Sequence, residues 1–398
     1  MRNRPSTLLA GLLIGIAAMS LLPAVLTKPA LPKERWIAGR ILYFAAGRGQ
    51  MQGAPTPDLY SVRANGTGTR RLTRSRAFEE EAKWSPNGKY IAFIRTWYHR
   101  HFSHPRSDLF VMKAGGAGIR RLTRDQASES EPMWSPDGSL VAFVKSSRHG
   151  PLRVTSDVFV TGLWDHRTRQ LTERGKNYHP SWSPSGNEIA YDSRLHGRYQ
   201  VRVVRSDASR DRAISVGGHF SYASWSPRSS SIAVLRIGPN CDDGASLSLS
   251  LVDREGRSRR LLHHGSECLE GWVKWSPDGS ELMYQSRPGG GSDLDRIVDP
   301  QTGAQRGLTD EDAWGAVWSP DGHHIAFEDS SVHRFPPPGM NVSDIRDSGM
   351  VYFGAGHPLW ITVLTTGTWD ASLGLGVPVD WRAGRTVPVE GTSFGADA

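Results

Sequence analysis

Short runs of apolar, β-branched and aromatic residues punctuate the chain at regular intervals. The first series reads YIAF at 90–93, LVAF at 140–143, EIAY at 188–191, SIAV at 231–234, ELMY at 281–284 and HIAF at 324–327. A second run follows each across a gap of variable length: DLFVM at 108–112, DVFV at 157–160, YQVRVV at 199–204, SLSLSLV at 246–252, DLDRIV at 293–298 and LWITVL at 359–364. These runs are too short for helices and are bounded by Gly, Pro, Asn or Asp, so they predict strands. Several units close on a basic stretch and Leu-Thr, as in IRRLT at 119–123, RQLT at 169–172 and RGLT at 306–309.

Each first strand is preceded by a turn written almost the same way. Trp-Ser-Pro begins at Trp84, Trp134, Trp182, Trp225, Trp275 and Trp318, at spacings of 50, 48, 43, 50 and 43 residues. That period is the period of propeller blades. Pro fixes its own φ, and the following Asp or Asn with Gly gives a tight reversal. Trp supplies a large apolar body to fill the space between sheets and an indole N–H for a backbone carbonyl. The turn therefore reads as structural, and its Ser and Asp are not read as catalytic. Arg228 with Ser229, and Ser185, replace the usual residues in two of the turns, which predicts looser turns there.

An earlier unit lacks the Trp turn but keeps ILYF at 41–44, DLYSV at 58–62 and RRLT at 70–73. The expected architecture is all-β: a β-propeller of seven four-stranded blades after an N-terminal export helix. The tail VPVDWRAGRTVPV at 377–389 is a candidate to complete the first blade. Six blades result instead if the first and last units share one sheet. Either solution spares the fold a long unpaired edge.

The Trp-Ser-Pro-Asp-Gly turn, the Ile-Ala-Phe-like and DLFVM-like strands and the Leu-Thr closure together resemble the TolB-type (PD40, WD40-like) propeller repeat. The same repeat occurs in the propeller domains of prolyl-oligopeptidase-like peptidases and in oligogalacturonate lyases. The resemblance runs from about residue 39 to about 368 and implies the fold. For function it implies protein–protein binding, as in periplasmic TolB-like proteins, or, through the lyases, a polysaccharide lyase using propeller-face histidines and a metal. No match fixes those ligands onto residues of this chain. TolB-like proteins carry a separate domain before the propeller, whereas few residues besides an export segment precede the first unit here. No G-x-S-x-G elbow occurs, so serine hydrolysis by that route is not expected.

The first 35 residues set the location. Arg2 and Arg4 precede an apolar stretch from Leu8 to Leu26, with Lys28, Lys33 and Arg35 behind it. This reads as a signal peptide or a membrane anchor. Residues 36–398 then form a single propeller outside the cytoplasm: periplasmic, secreted or held at the membrane through an uncleaved N-terminal segment. Lys and Arg number 48 against 40 Asp and Glu, a net charge of +8 that is diffuse along the chain. A diffuse excess without a basic stripe, in an exported protein, disfavours nucleic acid as a partner.

The Trp-Ser-Pro turns and the short turns such as AGGAG share one face of the ring, so the long connections gather on the other. Binding is expected there. RTWYHRHFSHPR at 95–106 brings Arg95, Trp97, Tyr98, His99, Arg100, His101 and His104 together, a mixture able to stack on sugars, bind acidic groups or meet a protein. Arg148 and His149, His263 and His264, and Arg334 complete the candidate binding set. Cys241 and Cys268 fall on the same face of one unit, and an oxidising compartment makes a disulfide between them the economical reading. No cofactor is expected. Calcium or another divalent metal is possible, but His99 and His101 have no evident third ligand and CDDG at 241–244 is not an EF-type loop.

No specific catalytic constellation stands out, and the reading leans toward a non-catalytic scaffold that binds another envelope or extracellular protein. The alternative is an enzyme acting on an anionic polysaccharide.

Overall fold

The computed structural model describes residues 39–46, 57–63, 68–97, 106–149, 153–165, 167–173, 175–195, 197–214, 219–237, 247–257, 259–265, 272–286, 294–307, 313–322, 324–329, 359–363, 368–372 and 378–382. They form seven antiparallel four-stranded sheets. Six are built from consecutive strands, and each has as its innermost strand the segment ending in the Trp of the repeated turn: Phe78–Trp84, Ser128–Trp134, Asn177–Trp182, His219–Trp225, Val273–Trp275 and Ala313–Trp318. We number these blades 2 to 7. Blade 1 is composite: Pro378–Arg382 pairs antiparallel with Arg40–Ala46, which pairs in turn with Pro57–Arg63. Pro378–Arg382 also lies against the innermost strands of blades 2 and 7, so the ring closes on itself.

The expectation of a seven-bladed ring behind an export helix is corrected in two ways. Blades formed from one continuous stretch of chain number six, not seven, and the remaining sheet is assembled from both ends. Strands and no helix are found among the described residues, none of which is long and apolar enough as a helix to cross a membrane. The segment 1–35 lies outside the described residues.

The hydrophobic core is a series of clusters between neighbouring blades. Leu42, Leu59 and Leu72 of blade 1 pack with Trp84, Ile91, Phe93 and Met112 of blade 2, and the next interface repeats the arrangement with Ile94, Leu109 and Leu122 against Trp134, Val141 and Phe143. A blade alone exposes both of its faces, so only stacking buries them. The Trp of the turn lies in this layer, buried in five blades and partly buried at Trp275.

The indole also crosses between blades. Trp134 Nε1 donates to the carbonyl of Lys83, Trp182 Nε1 to that of Met133 and Trp275 Nε1 to that of Ser224, each at 3.0 Å. The acceptor is in every case the residue just before the Trp of the preceding blade. One geometry, used at three junctions, fixes both the spacing and the angle of the sheets it joins, while the Trp225 and Trp318 indole N–H groups have no hydrogen-bond partner among the described residues.

The rest of the turn is a hydrogen-bonded clasp. Ser135 Oγ accepts the Leu140 N–H at 2.9 Å and donates to Asp137 Oδ1 at 2.6 Å, while that oxygen accepts the Ser139 N–H at 3.0 Å. Ser276, Asp278 and Ser280 repeat it in blade 6. Gly138 closes the turn at φ 71°, the left-handed region. Where Ser185 stands for Asp, the equivalent bonds lengthen to 3.2 and 3.4 Å. Where Arg228 and Ser229 stand, the Arg228 N–H reaches Ser226 Oγ only at 3.4 Å.

These contacts predict that Trp134→Phe, which keeps an aromatic body but loses the bond to Lys83, costs about 1 kcal/mol. Trp134→Ala, which also opens a cavity, costs about 3–5 kcal/mol. Denaturant unfolding followed by circular dichroism measures both, and equal losses would mean that the indole N–H contributes nothing.

Candidate functional site

The residues expected on the long-loop face are spread over several blades. Arg95 belongs to a blade junction: its Nη2 bonds Glu79 Oε1 at 2.8 Å and its guanidinium lies 4.7 Å from the Phe110 ring centre. His149 is exposed and bonds Thr155 Oγ1 through Nε2 at 3.0 Å, next to the exposed Arg148. His263 Nδ1 lies 2.8 Å from the amide of Gln305 in the next blade, and its ring packs on Tyr284. His264 is placed in the strand Arg259–Gly265. Tyr98, His99, Arg100, His101, His104, Arg334, Cys241 and Cys268 lie outside the described residues, as does the CDDG loop. Among the described residues no group of three or more His, Cys, Asp or Glu could hold a metal ion.

Trp97 marks the one expected position that opens onto a cavity. An open pocket of about 520 Å³ lies on this face at the junction of blades 2 and 3, lined by Trp97, Arg106, Asp108, Arg121, Arg124 and Asp125 with Gln126. Arg121 pairs with Asp108 Oδ2 at 2.6 Å and sits 5.8 Å from the Trp97 ring centre, while Arg106 donates to the Asp125 carbonyl at 2.7 Å. The pocket therefore combines a flat aromatic wall with three guanidinium groups. Sequence reasoning reached Trp97 but passed over Arg121 and Arg124, because RRLTR looks like a structural closure.

That closure has a defined job. In RRLT and RQLT the Thr hydroxyl accepts the backbone N–H of the residue after the second-strand Asp: Thr73 from Leu59 at 2.8 Å, Thr123 from Leu109 at 3.0 Å and Thr172 from Val158 at 3.0 Å. At the same junction a polar residue from the next innermost strand, Glu79, Glu129 or Asn177, is buried. Burial pushes the Glu129 carboxyl up to about 8, aided by the charges of Asp125 and Asp108.

A second polar constellation surrounds the ring axis and was not anticipated from the sequence. Glu81, Glu131, His179 and Tyr222 occupy the same place on four successive innermost strands, three residues before the Trp, and all have positive φ of 53–56°. A β-bulge interrupts the register at each. The bulged N–H is caught by the blade before it: a Glu81 carboxylate oxygen accepts the Glu131 N–H, and a Glu131 oxygen accepts the His179 N–H. The imidazole of His179 cannot play that part for the next blade, so Asp192 does, its Oδ2 accepting the Tyr222 N–H at 2.7 Å and the Ser221 hydroxyl at 2.6 Å.

The same Asp192 oxygen is 2.7 Å from His179 Nδ1, and the Tyr222 ring packs 4.4 Å from the imidazole. Burial works against a charged His179, but the bond to Asp192 and the charges of Asp192, Glu131 and Glu81 outweigh it and raise its pKa. Burial also lifts Glu81 to about 7, with the Glu131 charge adding to it. The fixed offset from each Trp was the available signal, visible as E, E, H and Y in register.

For a carboxyl whose pKa is raised on folding, the folded chain holds its proton where the unfolded chain has lost it. Stability from Glu81 and Glu129 is greatest below pH 4.5 and declines as pH rises through the window from 4.5 to about 7 and about 8 respectively. Glu129→Gln is expected to flatten this decline and to raise stability at pH 8. Urea unfolding across that range tests it, and an unchanged slope would contradict the burial of a protonated acid.

The PD40 family, the TolB beta propeller domain, matches residues 99–264. No curated protein matches the chain by sequence. Among solved structures, a puromycin hydrolase superposes with a TM-score of 0.58 at 15% identity, over 85% of this chain and 52% of that chain. An oligogalacturonate lyase in complex with manganese superposes with a TM-score of 0.55 at 15% identity, over 85% and 86%. TolB from Acinetobacter baumannii gives 0.49 at 16% identity, over 68% of this chain and 63% of that chain. At these identities the likeness is one of fold. It corrects the leaning toward a non-catalytic ring, since structures sharing the fold include a lyase and a hydrolase. The PD40 model covers residues 99–264 of this chain, and the lyase and the hydrolase share its fold.

Proposed function

We propose that this chain is an extracytoplasmic propeller enzyme acting on an anionic carbohydrate, which it holds on its long-loop face at the junction of blades 2 and 3. The observation that carries the reading is the open pocket of about 520 Å³ with Trp97, Arg106, Arg121 and Arg124 on its walls. Guanidinium groups bind carboxylates through paired, charge-assisted hydrogen bonds, and an indole face covers the apolar face of a sugar ring. The shared fold with an oligogalacturonate lyase supports the substrate class. The PD40 match and the apolar N-terminal stretch support the location.

Recognition of another envelope protein on the same face is the second reading, supported by the PD40 match, which includes residues 99–105 of the connection.

Calorimetric titration with oligogalacturonates distinguishes the two. Binding to the acidic oligomer and not to a neutral oligogalactoside is expected, with Arg124→Ala weakening it about tenfold or more, as loss of a charge-assisted bond implies. Turnover is followed by new reducing ends and by the ultraviolet absorbance of an unsaturated product. Equal affinity for neutral and acidic oligomers, or none for either, would overturn the carbohydrate reading.

A further inference from the structure

The three junctions at blades 1/2, 2/3 and 3/4 use equivalent residues, which makes each a control for the others. Their second strands carry Asp58, Asp108 and Asp157, their closures carry Thr73, Thr123 and Thr172, and the following innermost strands contribute Glu79, Glu129 and Asn177. At junction 3/4 Asp157 Oδ1 accepts three bonds, from Thr172 Oγ1 at 3.0 Å, the Gly175 N–H at 3.1 Å and Asn177 Nδ2 at 2.7 Å. At junction 1/2 Asp58 Oδ1 accepts the Ser75 N–H at 3.3 Å, while Glu79 takes the Thr73 hydroxyl and the Arg95 guanidinium. Junction 1/2 leaves none of these carboxylate oxygens buried and unpaired, and at junction 3/4 the single such atom in this set is Asn177 Oδ1.

Junction 2/3 is different. Asp108 is 3% exposed and its Oδ2 holds Arg121, yet its Oδ1 has no hydrogen-bond partner. Glu129, 1% exposed, has none on either oxygen. The register sets Lys145 opposite Glu129, just as it sets Arg95 opposite Glu79, but Lys145 turns to Asp125 instead. Acceptors without donors in a buried place are costly, because they have given up water and gained nothing in return. The pocket opens at this junction, and Asp108 and Asp125 line it.

We propose that Asp108, backed by Glu129, is the acceptor half of this site and takes the hydroxyl donors of a sugar ring whose carboxylate the arginines hold. The inference rests on the carbohydrate reading and makes it more specific. Arginines alone would bind any small anion. Arginines facing an unsatisfied carboxylate select a ligand that carries donors beside its negative charge, as a uronic acid does, and repel a bare anion that offers none. A site built to receive a hydroxyl discriminates strongly against ligands lacking it, because its own polar groups are otherwise left unpaired. The protonated state favoured for Glu129 keeps the site from confronting the ligand with a second full negative charge.

The experiment is calorimetric titration of the full chain with trigalacturonate and with inorganic sulfate, comparing wild type, Asp108→Ala and Glu129→Gln, with thermal unfolding as a check on folding. Wild type is expected to bind trigalacturonate well above sulfate. Asp108→Ala should weaken trigalacturonate about tenfold or more while sulfate binding stays unchanged or tightens, since Arg121 loses its competing carboxylate. A role confined to holding Arg121 would move both probes together and overturn the proposal. If Asp108→Ala does not fold, Glu129→Gln decides: a loss of about threefold or more for trigalacturonate alone is expected, and no difference between the probes overturns it. Wild-type binding of trigalacturonate with both variants unaffected overturns this inference and leaves the carbohydrate reading standing. Sulfate binding as tight as trigalacturonate identifies a bare-anion site and overturns the acceptor role. Absence of trigalacturonate binding by wild type overturns the carbohydrate reading and the inference with it.

Discussion

The indole of one blade reaching the backbone of the blade before it is the constraint on which the ring depends. At three junctions it sets a sheet against its neighbour by a bond at the end of a rigid apolar body, so distance and tilt are fixed together there. Trp134, Trp182 and Trp275 make this bond to equivalent carbonyls. Because the acceptor belongs to the residue beside the preceding Trp, the bonds run in one direction around the ring. Apolar contact alone would tolerate sliding of one sheet over the next, and a directional bond does not.

The bulges follow from the same geometry. Three residues before the Trp the innermost strand is forced into the left-handed region, at a cost of about 1–3 kcal/mol for a residue other than glycine. Polar side chains occupy four such places, and the N–H displaced by the bulge at 131, 179 and 222 is collected by a carboxylate of the neighbouring blade. The strain and its relief lie in different blades, which adds a polar layer of coupling inside the apolar one. At His179 this layer also becomes chemically distinct, because Asp192 must serve both the imidazole and the next blade.

Much of the fold was legible because its cause is local: a turn that demands Ser, Pro, Asp and Gly at fixed places, next to runs of apolar residues, writes itself directly into the chain. The Leu-Thr closure was visible too, although its purpose, a hydroxyl accepting the N–H of Leu59, Leu109 or Val158, was not. The site was less legible because it depends on register. Arg95 looked like part of a basic rim until pairing put it opposite Glu79, and nothing in the string LVAFVKS announces that Lys145 leaves Glu129 without a cation. Glu81, Glu131 and His179 stand in strands whose neighbours are far away in sequence, so their shared axis emerges only when the ring is assembled.

The composite blade gives the molecule a history as well as a shape. Arg40–Ala46 leaves the ribosome more than 300 residues before its partner Pro378–Arg382. During synthesis every other blade has all of its strands before that pairing is made, so the earliest sheet waits longest with an open edge. An open strand edge is a template for pairing with another chain. The time between the two ends, more than the stability of any single blade, sets the interval in which a chaperone has something to protect.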